Sequence, residues 1–309
     1  MFVVCGEALF DVFATGDTPT GLGFDGRIGG SPLNVAIGLA RLGQPVGFLG
    51  GIGTGFAGQR LMRALADEGV VCDFVARSDA PTTLSLVGLD AHGVPSYAFY
   101  GHGGAERQLR PEHLATLGER GRAFHFGSYA MVAEPVGSTQ RALVEREHRR
   151  SLIAYDVNLR LNVEPDLERW RATVQWMLPR THLLKLSDED LGLLYPGLGI
   201  EAFAAQALAA GTAWVVVTRG GEGAVGFSAG HTLRATPVAV AVIDTVGAGD
   251  TFQAALLTWL AEHGQLSPDA LRQLKPEAQQ QALDFAARAA AITCTRRGAD
   301  LPRRGDLIG

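Results

Sequence analysis

Asp250 lies in Ile243-Asp244-Thr245-Val246-Gly247-Ala248-Gly249-Asp250-Thr251-Phe252, a glycine-broken turn that follows a β-branched strand and opens an apolar helix through Ala254, Leu256, Leu257 and Leu260. The first turn of a helix carries backbone N–H groups without intrahelical partners, at the positive end of the helix dipole. Because Gly247 and Gly249 lack Cβ atoms, a polyphosphate can approach those amides closely, and the turn reads as an anion trap. A carboxylate in such a trap repels a resting phosphate. It has a task if it takes the proton of an alcohol attacking that phosphate, while the amides of Gly247, Ala248 and Gly249 bear the developing charge. The same residues also read as an ordinary helix start, with Asp and Thr as caps.

Other polar groups fall where apolar runs end. Phe2-Val3-Val4-Cys5 reads as a buried first strand closed by Gly6, and Asp11 follows just beyond it, at the edge where open α/β sheets bind ligands. An ionised carboxylate there grips paired sugar hydroxyls, though an ordinary loop acid fits as well. Gly29-Gly30-Ser31-Pro32-Leu33-Asn34 opens a helix, with Ser31 as N-cap, Pro32 at the first helical position, Val35, Leu39 and Leu42 at helical spacing, and Gly43 as the stop. The glycine pair lets backbone touch a ligand, and Asn34 offers both donor and acceptor. Asp156, Asn158 and Arg160 follow the strand Leu152 to Tyr155 at i, i+2, i+4 spacing. Ser187 reads as the cap of a helix with an acidic first turn.

Two further motifs compete for attention. Gly53-Thr54-Gly55-Phe56-Ala57-Gly58 satisfies a dinucleotide fingerprint after the apolar strand Val46 to Gly50, with Asp73 placed for a ribose. It supports an NAD-dependent oxidoreductase as the alternative from another class, but gives the Asp250 turn no task. Gly226-Phe227-Ser228-Ala229-Gly230 matches a nucleophile elbow, which needs a strand before and a helix after. Here Ala224 to Ser228 and Thr232 to Ala235 read as two strands around a hairpin turn.

The segment Asp244 to Phe252 resembles the C-terminal signature of the ribokinase-like (PfkB) carbohydrate kinases, and Gly29 to Gly43 is similar to the N-terminal signature of that family, especially its fructokinase branch. Asp156-Val157-Asn158-Leu159-Arg160 is similar to the family's DxNxR segment, and Thr218, Gly220 and Gly223 match its TxGxxG nucleotide loop. The resemblance covers nearly the whole chain. It implies an α/β ribokinase-like three-layer sandwich with a central, mostly parallel sheet and a small β-lid, formed by about residues 12–28 and 71–107 within a single domain. It implies Asp250 as base, Gly247, Ala248 and Gly249 as anion hole, and Asp11, Gly29, Gly30, Asn34, Phe99 and Arg160 around the sugar. Lys185, Ser187, Thr218, Gly220 and Gly223 fall to ATP, Asp190 to Mg²⁺ through water, and Asp244 to a monovalent cation such as K⁺. Ser187 and Asp190 stand where the family often shows NxxE, and Thr54 and Gly55 replace the acids of a usual GDDxFG-like loop. The implied reaction is ATP-dependent phosphorylation of a sugar's primary hydroxyl, with fructose to fructose 6-phosphate foremost. A 2-keto-3-deoxygluconate kinase, another ketose or riboside kinase, and a non-catalytic sugar-binding regulator remain alternatives.

The elements around these residues fit that architecture. The chain has 309 residues, 47% hydrophobic and 19% charged, enough for one large α/β domain. With 27 Lys and Arg against 32 Asp and Glu and no basic run, a nucleic-acid surface is not expected. Only Lys185 and Lys275 supply ammonium groups and neither lies in GxxxxGK[ST], so a P-loop is excluded. Cys5, Cys72 and Cys294 are spaced for neither a disulfide framework nor zinc and read as core thiols, and with no signal core or membrane span the expected compartment is a reducing cytoplasm. Residues 15–28 form a polar excursion, while Val71 to Ala76, Thr83 to Leu89 and Ser96 to Tyr100, with Asp90-Ala91-His92-Gly93 as a turn, read as strands of a small antiparallel sheet over the site. By the resemblance, such a lid also joins two copies in a homodimer.

Overall fold

The computed structural model describes residues 1–89 and 95–307, and in it the short apolar runs become strands. In chain order the first are β1 (Phe2–Cys5), β2 (Leu9–Thr18), β3 (Gly21–Gly29), β4 (Val46–Leu49), β5 (Gly51–Gly53), β6 (Ala76–Ser78), β7 (Leu84–Leu89) and β8 (Pro95–Tyr100). Then come β9 (Ala123–Gly127), β10 (Leu152–Asp156), β11 (Leu183–Ser187), β12 (Trp214–Thr218), β13 (Ala224–Ser228) and β14 (His231–Arg234). The helices are α1 (Ser31–Arg41), α2 (Phe56–Asp67), α3 (Val136–Glu147), α4 (Leu167–Met177), α5 (Asp188–Leu194), α6 (Ile200–Ala210), α7 (Ala248–Glu262), α8 (Pro268–Arg272) and α9 (Pro276–Cys294).

Eight strands form the central sheet in the order β14-β13-β12-β11-β10-β9-β1-β4. It is parallel from β4 to β12, and β12, β13 and β14 are antiparallel. A parallel strand covered on both faces must be apolar on both, which is why β1, β4, β9 and β10 are buried at every position. On one face Val3, Phe126 and Tyr155 pack with α3, α4, α5 and α6 through Leu143, Trp170, Leu194 and Phe203. On the other, Val4, Ala154 and Val216 pack with α1, α2, α7 and α9 through Leu39, Leu61, Leu256 and Leu283. The result is three layers, α/β/α.

Helix α7 is buried at every residue from Asp250 to Leu260. A helix apolar nearly all round belongs inside, and here it is held between α1, α9 and the sheet. The contact with α1 is unusually close. A Cβ on Gly38 would stand 2.8 Å from Ala254 Cβ and 2.6 Å from Leu301 Cδ2.

The second sheet runs β3-β2-β7-β8. Its β2–β3 and β7–β8 pairs are antiparallel, but β2 and β7 are parallel, so it is mixed rather than antiparallel throughout. The polar excursion is therefore paired strand, and Asp11 sits on β2 opposite Arg27 and Ser85 rather than in a loop. The strand expected over Val71 to Ala76 is one bridge at Val71 and the short β6, which pairs with β5 outside the four-stranded sheet. The expected turn at Asp90 to Gly93 lies outside the described residues. The β-branched run expected as a strand before the Asp250 turn is irregular over residues 237–242 and pairs with no strand, with Val242 62% and Ile243 63% exposed. Only Cys5 is a core thiol, whereas Cys72 and Cys294 are half-buried. Among the described residues no helix is long and apolar enough to cross a membrane.

Gly38→Ala tests the α1–α7 approach. Overpacking a filled contact costs about 1–3 kcal/mol, so the variant should lose that much in urea unfolding.

Candidate active site

The N-terminal turn of α7 separates two cavities, and Thr245 and Gly249 line both. One, of about 610 Å³, lies under the four-stranded sheet. The other, of about 590 Å³, opens between the β12–β13 loop, the irregular 237–242 segment and α9. Gly247 is the N-cap, left-handed at φ 80°. A Cβ there would come within 2.7 Å of Ala299 Cβ, so the turn needs glycine for both conformation and space.

Asp250 projects from that turn into the first cavity and is held from α1. Ser31 Oγ donates to its Oδ1 at 2.6 Å and Asn34 Nδ2 to its Oδ2 at 2.8 Å. Ser31 is thus not the N-cap. Gly30 is, with φ 105°, and Ser31 turns its hydroxyl across to α7 because that tertiary acceptor replaces the local amide. Gly30 also has no room for a side chain, since a Cβ would meet Glu7 O at 2.7 Å.

The period-two register of the lid sheet sorts its side chains. Leu9, Asp11, Phe13, Ser85, Val87 and Phe99 all face the first cavity. Gly29, paired with Leu9, shares that face but is covered by Asp11: a Cβ there would fall 2.2 Å from Asp11 Oδ2. Burial pushes the Asp11 carboxyl up, against the pull of Ser85 and Arg160. Phe99 meets Tyr129 edge to face at 5.5 Å. Arg160 and Asn158 line the same cavity, and Asn158 has φ 41°. Glu7, Ser85 and Tyr129 are not among the site residues expected from the sequence, whereas Asn158 belongs to the expected strand-end cluster. The one sequence mark of the first three is position at the carboxyl ends of central-sheet strands or on an alternating strand.

Ser187, Thr218, Gly220 and Gly223 line the second cavity, with Val238, Val240 and Ala291 as an apolar wall. Asp190 lines neither cavity. It completes a capping box with Ser187, whose amide it accepts at 3.4 Å, and takes the Leu159 amide at 3.2 Å. Lys185 also lies beneath rather than in the cavity: its Nζ is 2.6 Å from Asp156 Oδ2, both side chains buried, and 3.6 Å from where a Gly249 Cβ would be. Asp156 is consequently an ion-pair partner instead of a ligand group at the sheet edge. Burial raises its carboxyl to about 6, against the opposing pull of Lys185. Asp244 accepts the amides of Val246 at 3.1 Å and Gly298 at 2.8 Å, tying the turn to the segment after α9. Burial works to raise this carboxyl, but those amides and that of Thr245 hold it below the usual range.

The competing motifs take structural roles. Gly53–Gly58 joins β5, outside the central sheet, to α2, and a Cβ on Gly58 would lie 1.9 Å from Gly53 O; Asp73 pairs with Arg120 at 2.9 Å on the surface. Ser228 ends β13 of the expected hairpin and donates to Gln279 at 2.8 Å.

Residues 1–304 match the family model described as pfkB family carbohydrate kinase. The chain is 36% identical over 260 residues to a fructokinase of Rhizobium leguminosarum bv. trifolii, covering 84% of this chain and 79% of that one. It is 33% identical to a fructokinase of Klebsiella pneumoniae over 98% of this chain and 97% of the relative. Among solved structures, fructokinase with bound ATP from Xylella fastidiosa superposes with TM-score 0.88 at 29% identity, covering 99% of this chain and 96% of that chain. Fructokinase from Vibrio cholerae O395 in its fructose, ADP and calcium bound form gives 0.81 at 26% identity, with coverages of 99% and 97%. With two cavities meeting at the glycine-containing N-terminal turn of α7 and the family match spanning nearly every residue, the chain belongs to the pfkB family of carbohydrate kinases.

Proposed function

We propose that the chain is an ATP-dependent fructokinase, transferring the γ-phosphoryl group to the primary hydroxyl that yields fructose 6-phosphate. The observation that carries this reading is the α7 N-terminal turn shared by two cavities, with a positioned carboxylate on one side. ATP occupies the cavity walled by Thr218, Gly220, Gly223, Val238 and Val240, its phosphates reaching the amides of Gly247, Ala248 and Gly249. The sugar occupies the other, between Asp11, Gly30, Asn34, Phe99 and Arg160. Asp250 accepts the hydroxyl proton; two donors fix its carboxylate so that it need not reorganise as the alcohol attacks. Asn34 keeps its carbonyl oxygen for the sugar.

Lys185 adds positive charge under Gly249, where charge builds on the migrating group. Magnesium, when bound with ATP, offsets phosphate charge. Among the described residues no cluster of three His, Cys, Asp or Glu could cage a metal. That suits an ion held chiefly by phosphates and water, with Asp188 and Glu189 of the nucleotide cavity and Asp190 behind them as outer carboxylates. Asp244 is first a staple for the turn, and a monovalent cation there would have to share its oxygens with backbone amides.

Fructose is favoured over a sugar acid because Glu7, Asp11 and Asp250 face one Arg160 across the cavity, and because the relatives at 36% and 33% identity are fructokinases. We also read the outer lid face as the contact for a second copy. By register Phe10, Val12, Phe24, Leu84, Leu86 and Tyr100 share it, and Phe24 is 50% and Tyr100 63% exposed.

ADP release from Mg·ATP should be fastest with fructose among fructose, 2-keto-3-deoxygluconate, ribose, glucose and a nucleoside. Asp250→Asn should lower kcat by about 10²–10⁴-fold with little change in either KM; equal turnover by the two proteins would refute the assignment. Lys185→Met strands a buried carboxyl, so a loss of about 3–5 kcal/mol in urea unfolding is expected. Its KM for ATP should rise while that for fructose stays near wild type.

A further inference from the structure

Glu7 follows β1 and is 2% exposed, yet it lines the sugar cavity and its Oε2 has no hydrogen-bond partner. Tyr129, also 2% exposed, lines the same cavity and leaves its hydroxyl unpartnered. A buried polar group without a partner costs about 1–3 kcal/mol, and a carboxylate costs more. Two such groups on one wall point to an occupant that satisfies them. The backbone beside them is strained as well: Ser128, between Gly127 and Tyr129, has φ 59° and ψ −165°, a region that side chains other than glycine rarely enter.

A hydroxyl is the group that serves both, donating to a carboxylate and accepting from a phenol. A carboxylate ligand would instead set a further negative charge beside Glu7 and Asp11. Resting on the kinase reading above, we infer that Glu7 is a specificity-determining residue: its carboxylate accepts a hydrogen bond from a sugar hydroxyl other than the one phosphorylated, with Tyr129 at its side. The groups facing Glu7 are Ser128 and Tyr129 after β9, Glu106 in the turn after β8 and Arg160 after β10, while Asp11 on β2 and Arg107 act on Tyr129. Glu106 accepts from Thr83 Oγ1 at 2.5 Å through Oε2; its Oε1 is also unpartnered, 3.7 Å from Arg107 Nε, but Glu106 does not line the cavity. Burial raises the Glu7 carboxyl to about 7, with Ser128 and Arg160 pulling the other way. The accepting, ionised form therefore gains population as pH rises through that value, and fructose affinity should rise with it.

The test combines Glu7→Gln with a series of monodeoxyfructoses, read by steady-state kinetics with ATP and by calorimetric fructose binding without it. A hydrogen bond to a charged group contributes about 1.5–3 kcal/mol. The fructose KM and Kd should thus rise about 10–150-fold, while the KM for ATP and the melting temperature stay close to wild type. Wild type should discriminate against one deoxyfructose by a similar factor, and the variant should not. The rise of wild-type affinity across neutral pH should be flat in Glu7→Gln. If Glu7→Gln does not fold, Glu7→Asp and Tyr129→Phe in the same deoxyfructose series take its place. Unchanged fructose KM, or discrimination that survives the substitution, would overturn the inference while leaving the kinase reading intact. A wild type that binds fructose through Glu7 but transfers no phosphoryl group would overturn the kinase reading alone, and one that neither binds nor phosphorylates fructose would overturn both.

Discussion

The site depends on the pair of hydrogen bonds that Ser31 and Asn34 send from α1 to Asp250 on α7. These residues are more than two hundred positions apart in sequence, and nothing local brings them together. What does is packing: α1 and α7 approach over Gly38 and Ala254 closely enough that their N-terminal turns share a carboxylate. The geometry of the Asp250 carboxylate is thus a consequence of a helix–helix contact about one turn away. A side chain that spreads the helices there acts on the carboxylate without touching it.

Beneath the same turn the chain manages charge in a second way. Lys185 and Asp156 emerge from adjacent parallel strands at matched register and meet inside the layer between sheet and α7. Each would be costly alone in that medium, and together they keep an ammonium close to Gly249 without exposing it to the nucleotide cavity. A chain with two lysines in all places one beneath the N-terminal turn of α7. In the proposed reaction the amides above are the directional donors and the ammonium a background field.

Much of the fold was legible because fully buried parallel strands are continuous apolar runs and the helices that cover them carry their own stops, as β1, β10, α1 and α7 show. The site was legible where glycines and carboxylates crowd one turn. Errors fell where tertiary partners override local chemistry. Ser31 has the type and position of a cap, but a carboxylate from a distant helix outcompetes the local amide. The β-branched run before the turn has the composition of a strand, yet residues 237–242 pair with no strand and form one wall of the second cavity. Asp190 looks like a metal ligand by motif, whereas its nearest donors are backbone amides. Glu7 and Tyr129 gave almost no signal, since a single acid after a strand and a single aromatic after another acquire meaning only when the fold sets them on one wall.

The ties between the N-terminal turn of α7 and the segment after α9 carry a consequence for synthesis. Ile243 N–H bonds to Cys294 O, Asp244 accepts the Gly298 amide, and Gly247 rests against Ala299. A chain made only as far as α7 already possesses the Asp250 carboxylate and its donors from α1, but lacks the backbone that braces the turn. The turn and its brace are separated in synthesis by α7, α8 and α9, so the turn gains this support only once Gly298 and Ala299 have been added.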